Sequence, residues 1–188
     1  VNGAASGTFT GVKRLLVSTG AGNDRVDVAR VRVRGDLSVV LGDGNDVLLA
    51  DGLFVRGRCV IRGGSGDDRI VLDGASTFAR TLTIRANTGD DTITLRASEF
   101  RDDVRIDAGA SSDGVTIEDA EFGSAARFEL RAGTGDDVLD ADDSRFAADV
   151  VVRMASDADR VKISDCDFAQ DARFDGGGGD DDEFRMDQ

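Results

Sequence analysis

The sequence predicts an all-β chain wound as a single-domain, right-handed parallel β-helix, a β-solenoid of about eight coils. Three observations predict it. Aspartate recurs at Asp24, Asp46, Asp68, Asp91, Asp113, Asp137 and Asp159, at separations of 22, 22, 23, 22, 24 and 22 residues, with Asp181 or Asp182 next in line. Phenylalanine keeps the same beat at Phe9, Phe54, Phe78, Phe100, Phe122, Phe146 and Phe168, and Val31 fills the missing slot. Between these marks apolar residues alternate with polar ones, the period of a strand, and no stretch shows a capped helical period. A repeat of this length is the mark of a solenoid.

Each coil is justified in turn by the same parts. Before the aspartate come inward pairs such as Leu82/Ile84, Val104/Ile106, Phe128/Leu130 and Val150/Val152; after it come Ile70/Leu72, Ile93/Leu95, Val115/Ile117 and Val161/Ile163. Two short strands, a Gly-Asp turn and a Phe corner thus make one coil, and coils begin near Phe9, Val31, Phe54, Phe78, Phe100, Phe122, Phe146 and Phe168. Residues 1–188 read as one domain. Coils stacked in register lie ~4.8 Å apart with like residues in columns. Right-handed winding follows from the usual chirality of parallel crossovers. Two residues before each Phe stands a small residue (Gly52, Ser76, Ser98, Ala120, Ser144 or Cys166), which makes room for the ring at a shared inward corner.

Composition limits the rest. There are 37 acidic and 23 basic residues, a net charge of −14, and no His, Trp, Tyr or Pro. Average usage would place roughly nine prolines here, so the backbone N–H groups are nearly all wanted for pairing. The charge argues against nucleic acid and anionic membrane, which reward basic patches, and favours cations or basic partners. No 18-residue apolar run exists to span a bilayer. The chain starts at Val1 and not at Met, as a processed or cut end would. Cys59 and Cys166 sit in different columns four coils apart, and are expected to be two small apolar residues, not a bridge. Without His, the serine column lacks its usual activating base.

The turns themselves carry a motif. "GGSGDDRIV" (residues 63–71) places Gly63, Gly64, Gly66, Asp68 and Ile70 in the pattern G-G-x-G-x-D-x-U-x. "LGDGNDVLL" carries it with Gly42, Gly44, Asp46 and Leu48, "TGAGNDRVD" with Gly20, Gly22, Asp24 and Val26, and "AGTGDDVLD" with Gly133, Gly135, Asp137 and Leu139. "ANTGDDTIT" keeps Gly89, Asp91 and Ile93. In these residues the chain resembles the RTX (haemolysin-type) calcium-binding repeats. The resemblance implies Ca²⁺ between stacked turns, held by Asp24, Asp46, Asp68, Asp91, Asp113, Asp137, Asp159 and Asp182 with nearby turn carbonyls, and it implies secretion. The chain departs from the family's two nonapeptides per coil: it has one, and a Phe corner opposite. Coil five has Ser111 at a glycine position, and coil seven, "ASDADRV", has no glycine.

The residues support the ion independently. Ca²⁺ takes six to eight oxygens and mixes carboxylates with carbonyls. A carboxylate column ~4.8 Å apart is self-repelling, and Asp67/Asp68, Asp90/Asp91 and Asp136/Asp137 double the charge, so a row of cations would convert repulsion to bracing. Solvated Gly-Asp turns with no ion are the plainer alternative.

Three function classes compete: a structural fibre or surface protein, a polysaccharide-active enzyme or its calcium module, and a flat-faced binder. The longest departure from the beat is two residues, at Asp137, which leaves no loop-built cleft. An ordered threonine face is limited to Thr92, Thr94 and Thr116. The chain stops in register at "EFRMDQ" without an evident cap. The expectation is therefore a non-catalytic extracellular filament subunit that binds Ca²⁺ and stacks head to tail. The alternative is a calcium-binding module of a larger secreted adhesin or polysaccharide-active enzyme. A polysaccharide or cell-surface partner is left open.

Overall fold

Alternating residues give each strand one apolar face, and the turns return the chain so that these faces meet in a common interior. A computed structural model describes residues 11–179 and 181–187. It is a parallel β-solenoid with no helix among the described residues, and hence no helix long and apolar enough to cross a membrane. The expected first coil start at Phe9 lies outside the described residues.

Three parallel sheets make the walls. The long sheet stacks Leu15–Ala21, Leu37–Asp43, Cys59–Ser65, Leu82–Thr88, Val104–Ala110, Arg127–Thr134, Asp149–Ser156 and Ala172–Asp175. After the aspartate turn the middle sheet stacks Arg25–Ala29, Val47–Asp51, Arg69–Asp73, Thr92–Arg96, Gly114–Glu118, Val138–Asp142, Arg160–Ser164 and Glu183–Asp187. The third wall corrects the sequence reading, which expected two strands and a bare corner. The Phe corners are themselves two-residue strands: Arg32–Val33, Phe54–Val55, Thr77–Phe78, Glu99–Phe100, Glu121–Phe122, Arg145–Phe146 and Asp167–Phe168. Their ladder bonds leave few free donors, consistent with a proline-free chain.

The core is a set of columns. Val39, Ile61, Ile84, Ile106 and Leu130 succeed one another in register and are all buried, as are Leu48, Ile70, Ile93, Val115 and Leu139 across the interior. Phe78, Phe100, Phe122, Phe146 and Phe168 stack with ring centroids 4.5–5.3 Å apart, and Phe128 meets Phe122 and Phe146 edge-on. Phe54 is not in that stack. It pairs with Thr77 while Val55 pairs with Phe78, so Val33 and Val55 continue the inner column, and neither Val31 nor Phe54 does. Phe54 faces outward, half-buried, with the Arg32 guanidinium 5.0 Å above its ring. Phe54 stands eight residues after its turn aspartate Asp46, whereas Val55, Phe100, Phe122, Phe146 and Phe168 stand nine after theirs, so it falls one place short of the inner column. The extra residue of the next coil, at Gly74 and Ala75, where φ is positive, puts Phe78 ten after Asp68.

The small corner residues do more than make room. Ser76 Oγ accepts the Leu53 N–H at 2.9 Å and donates to the Asp73 carbonyl at 2.6 Å; Ser144 does the same between Ala120 and Asp142. These hydroxyls close the corner and are buried. Both cysteines are free, Cys59 in an inward column between Leu37 and Leu82 and Cys166 at the serine corner.

The columns separate two phenylalanines that look alike in sequence. Phe100→Ala should cost ~3–5 kcal/mol, the range for deleting a fully buried ring, whereas Phe54→Ala should cost about 1 kcal/mol, since its ring is only half-buried. Urea denaturation of both variants checks the assignment; equal losses would contradict it.

Candidate functional site

The turn between the long and middle strands is where chemistry concentrates. The chain reverses there through left-handed conformations: Gly42 has φ +121° and Gly44 +124°. A side chain at Gly42 would put its Cβ 1.8 Å from the carbonyl oxygen of Gly20 in the coil below, so glycine is needed for close stacking as well as for φ. Coils that lack glycine keep the geometry: Asn87, Ser111, Ala155 and Asp157 hold positive φ at matching places.

All eight sequence-predicted aspartates fall into one column at this turn, and the ambiguous last member resolves as Asp182. Each donates its backbone N–H to Oδ1 of the equivalent aspartate one coil later: Asp24 to Asp46 at 2.7 Å, then Asp46 to Asp68, Asp68 to Asp91, Asp91 to Asp113, Asp113 to Asp137 and Asp137 to Asp159 at 2.7–2.9 Å, and Asp159 to Asp182 at 3.1 Å. The side chains point inward. Asp46, Asp68, Asp91, Asp113, Asp137 and Asp159 are 0–3 % exposed. Asp24 is half-buried, and Asp182 at the other end is exposed.

The residue just before each aspartate forms a second ladder of opposite sense, which sequence reasoning missed. Here the later coil donates: the Asn45 N–H to Asn23 Oδ1, Asp67 to Asn45, Asp90 to Asp67, Ser112 to Asp90, Asp136 to Ser112 Oγ, and Ala158 to Asp136, at 2.9–3.3 Å. The signal in the sequence was the chemistry of that position. Asn, Asn, Asp, Asp, Ser and Asp share only a short side chain with an acceptor oxygen. A doublet such as Asp67-Asp68 therefore joins its neighbours in both directions, one acceptor upward and one downward.

The two positions differ in what is left over. The outer oxygens are exposed to water. The second inner oxygen, Oδ2, is buried without a hydrogen-bond partner in Asp46, Asp68, Asp91, Asp113, Asp137 and Asp159. At coil three it lies against Gly63, where a Cβ would come within 2.3 Å of Asp68 Oδ2. Burial pushes the carboxyls of Asp68, Asp91, Asp113, Asp137 and Asp159 up, and neighbouring carboxylates push them further against the lowering effect of the N–H bonds, Asp68 and Asp137 to about 6 and Asp91 and Asp113 to about 7. Ionised, adjacent members ~4.8 Å apart would repel by ~3–4 kcal/mol at an effective ε of 20.

The carboxylates do not form a cage by themselves. No point among the described residues gathers three His, Cys, Asp or Glu side chains. A cation at this turn would draw its remaining oxygens from the backbone, as Ca²⁺ commonly does. The residues fit such an ion: orphaned buried carboxylate oxygens, one per coil, beside a glycine-rich turn. No protein-family model, curated protein or solved structure matches this chain. The likeness to RTX turns rests on the turn residues alone.

These raised values have a signed consequence for the metal-free protein. The folded column holds protons more tightly than the unfolded chain, whose carboxyls titrate near 3.9. Its contribution to stability is thus fully present below pH ~4 and is lost as pH rises through 6–7. A tenfold gain in proton affinity is worth ~1.4 kcal/mol per group, so four such groups weigh heavily against a typical ~5–15 kcal/mol of stability. Thermal melts in chelator should show a falling midpoint between pH 4 and pH 7; a rising one would contradict the buried column.

Proposed function

We propose that this chain is a non-catalytic structural solenoid of the extracellular space that binds Ca²⁺ between its aspartate turns, in the way its RTX-like residues imply. One observation carries the reading. The inner position is aspartate in all eight coils, while the outer position accepts Asn, Asp, Ser and, at residue 158, Ala. If the inner column needed only the Oδ1 acceptor, asparagine would serve there as it does outside, without the cost of burying charge. The second oxygen is what asparagine lacks. A cation there would offset the row's repulsion and link each coil to the next.

The ion should bind most tightly between coils three and four, where the outer Asp67 and Asp90 add their negative charge to that of the inner Asp68 and Asp91 and Gly63 carries no side chain beside Asp68 Oδ2. The junction of coils one and two has Asn23 and Asn45 in the outer places and so half the charge. Sites of this kind suit the ~10⁻⁴–10⁻³ M affinities of extracellular calcium modules, which supports the location. The regular repeat supports a scaffold role: no coil departs from the 22-residue beat by more than two residues.

Asp91→Asn separates cation binding from simple ladder formation. It keeps the Oδ1 acceptor and removes the charge. In chelator at pH 7 the variant should be more stable than the parent by ~1–3 kcal/mol, yet it should gain less stability from millimolar-range Ca²⁺. Denaturation with and without the ion, with calorimetry for binding heat, makes the comparison. Absent heat and chelator-independent stability in the parent would leave the column as a proton-holding ladder only.

Head-to-tail stacking is part of the same reading. Phe184 and Met186 are each 53 % exposed on Glu183–Asp187, whereas Val161 and Ile163, their partners in the preceding coil, are buried. What fits this edge is one more coil of the same pattern. We assign it to the first coil of a second copy; a further coil of a longer chain is the module alternative. Electron microscopy in Ca²⁺ should show fibres with a rise of ~38 Å per eight coils, lost after chelation. Monomers in both conditions would favour the module.

A further inference from the structure

Charge is unevenly distributed along the solenoid. Residues 1–100 hold 13 basic and 12 acidic residues, and residues 101–188 hold 10 and 25. The asymmetry is sharpest on the narrow face formed by the short sheet and the corner that enters it. Outward in the short sheet, in register, stand Arg32, Phe54, Thr77, Glu99, Glu121, Arg145 and Asp167. On the corner, the same left-handed position is held by Arg30 in coil one and by Asp119, Asp143 and Asp165 in coils five to seven.

The two ends of this face lack internal counter-ions. Among the described residues no carboxylate makes an ion pair with Arg30, Arg34 or Arg56, and no cation pairs with Asp119, Asp143, Asp165 or Asp167. Asp143 is raised above the usual carboxylate range, chiefly by Asp142 and then by slight burial, Asp165 and Asp119. Between the ends, Ala75, Thr77 and Ala97 share an open groove of about 230 Å³ with the carboxylates of Glu99, Asp119 and Glu121, of which Glu99 at the centre is paired with Arg101.

We propose that a second copy of this chain docks on this face, antiparallel, as a closed two-fold pair. A two-fold axis across coil four superposes each column on itself in reverse order. Coil one of one copy then lies over coil seven of the other. Arg30 and Arg32 meet Asp165 and Asp167, and the half-buried, outward-facing Phe54 ring meets Arg145, a cation–π arrangement. Every such contact occurs twice, because the interface is isologous. A parallel pairing would set like charges together. Neither the aspartate turns nor the strand edges take part, so the pairing stands apart from calcium and from head-to-tail stacking.

The test is analytical ultracentrifugation of the full chain in chelator, at low ionic strength and again at about 1 M salt, where screening reaches ~3 Å. The parent should be a dimer at low salt and a monomer at high salt. Arg30→Glu with Arg32→Glu, and separately Asp165→Arg with Asp167→Arg, should each weaken dimerisation by at least about 100-fold. Arg30 itself shows that arginine is accommodated at this corner. Mixed together, the two double variants should dimerise again, since each reversed patch then faces its opposite. Circular dichroism confirms folding of each; should either unfold, Arg32→Glu and Asp167→Arg alone repeat the swap on strand positions. A parent that stays monomeric at low salt, oligomers that grow past two, or a mixture that fails to pair would overturn the proposal.

Discussion

The hydrogen bond from one turn aspartate to the next is the constraint on which the rest of this solenoid depends. It fixes which residue lies over which at the one point in every coil where the chain makes its sharpest reversal. Because side chains alternate along a strand, a slip of one residue would turn every inward Leu, Ile and Val to water. The outer ladder, running the opposite way, removes the remaining freedom. The chain's own irregularities show the priority. The extra residue of coil three sits at Gly74 and Ala75, and the two extra residues after coil five sit between Phe122 and Phe128. These insertions enter at corners, where Ser76 or a local turn absorbs them; the last coil differs, with one extra residue between Asp175 and its turn aspartate Asp182.

That placement explains how far the sequence could be read. Columns such as Ile61–Ile84–Ile106 were legible because a strand has a period and the repeat supplies a register. The aspartate column was legible for the same reason. Phe54 was misplaced because the spacing of like residues does not say which face each one takes. The 24 residues from Phe54 to Phe78 look like the 24 from Phe122 to Phe146, yet only the second interval preserves the column, since Phe54 stands eight residues after its turn aspartate and Phe122 and Phe146 stand nine after theirs. The direction of the aspartates was not legible at all. A turn has no period of two, so nothing in "GDD" says which acid faces in. The outer ladder was hidden because Asn, Asp and Ser look like ordinary turn residues until their neighbours one coil away are known.

Burying one carboxylate per coil is costly, and the fold accepts that cost at every turn. One oxygen is satisfied by the backbone, the other is not. Protonation satisfies it in the metal-free protein; under the proposed reading a bound cation would do so instead, and the solenoid's stability would then depend on its ionic surroundings. The surface follows a different logic: among the described residues Arg30, Arg34 and Arg56 near the first coils make no ion pair, and acids crowd near the last, so that charge is polar along the axis while the interior is uniform.

Carbon-13 NMR of the aspartate side-chain carboxyls tests the buried ladder most directly. In chelator, a set of carboxyl signals should titrate well above the ordinary aspartate range, and these same signals should move to their ionised position at constant pH when Ca²⁺ is added. Aspartate carboxyls that all titrate near 4, with none responding to the ion, would contradict the buried inward column.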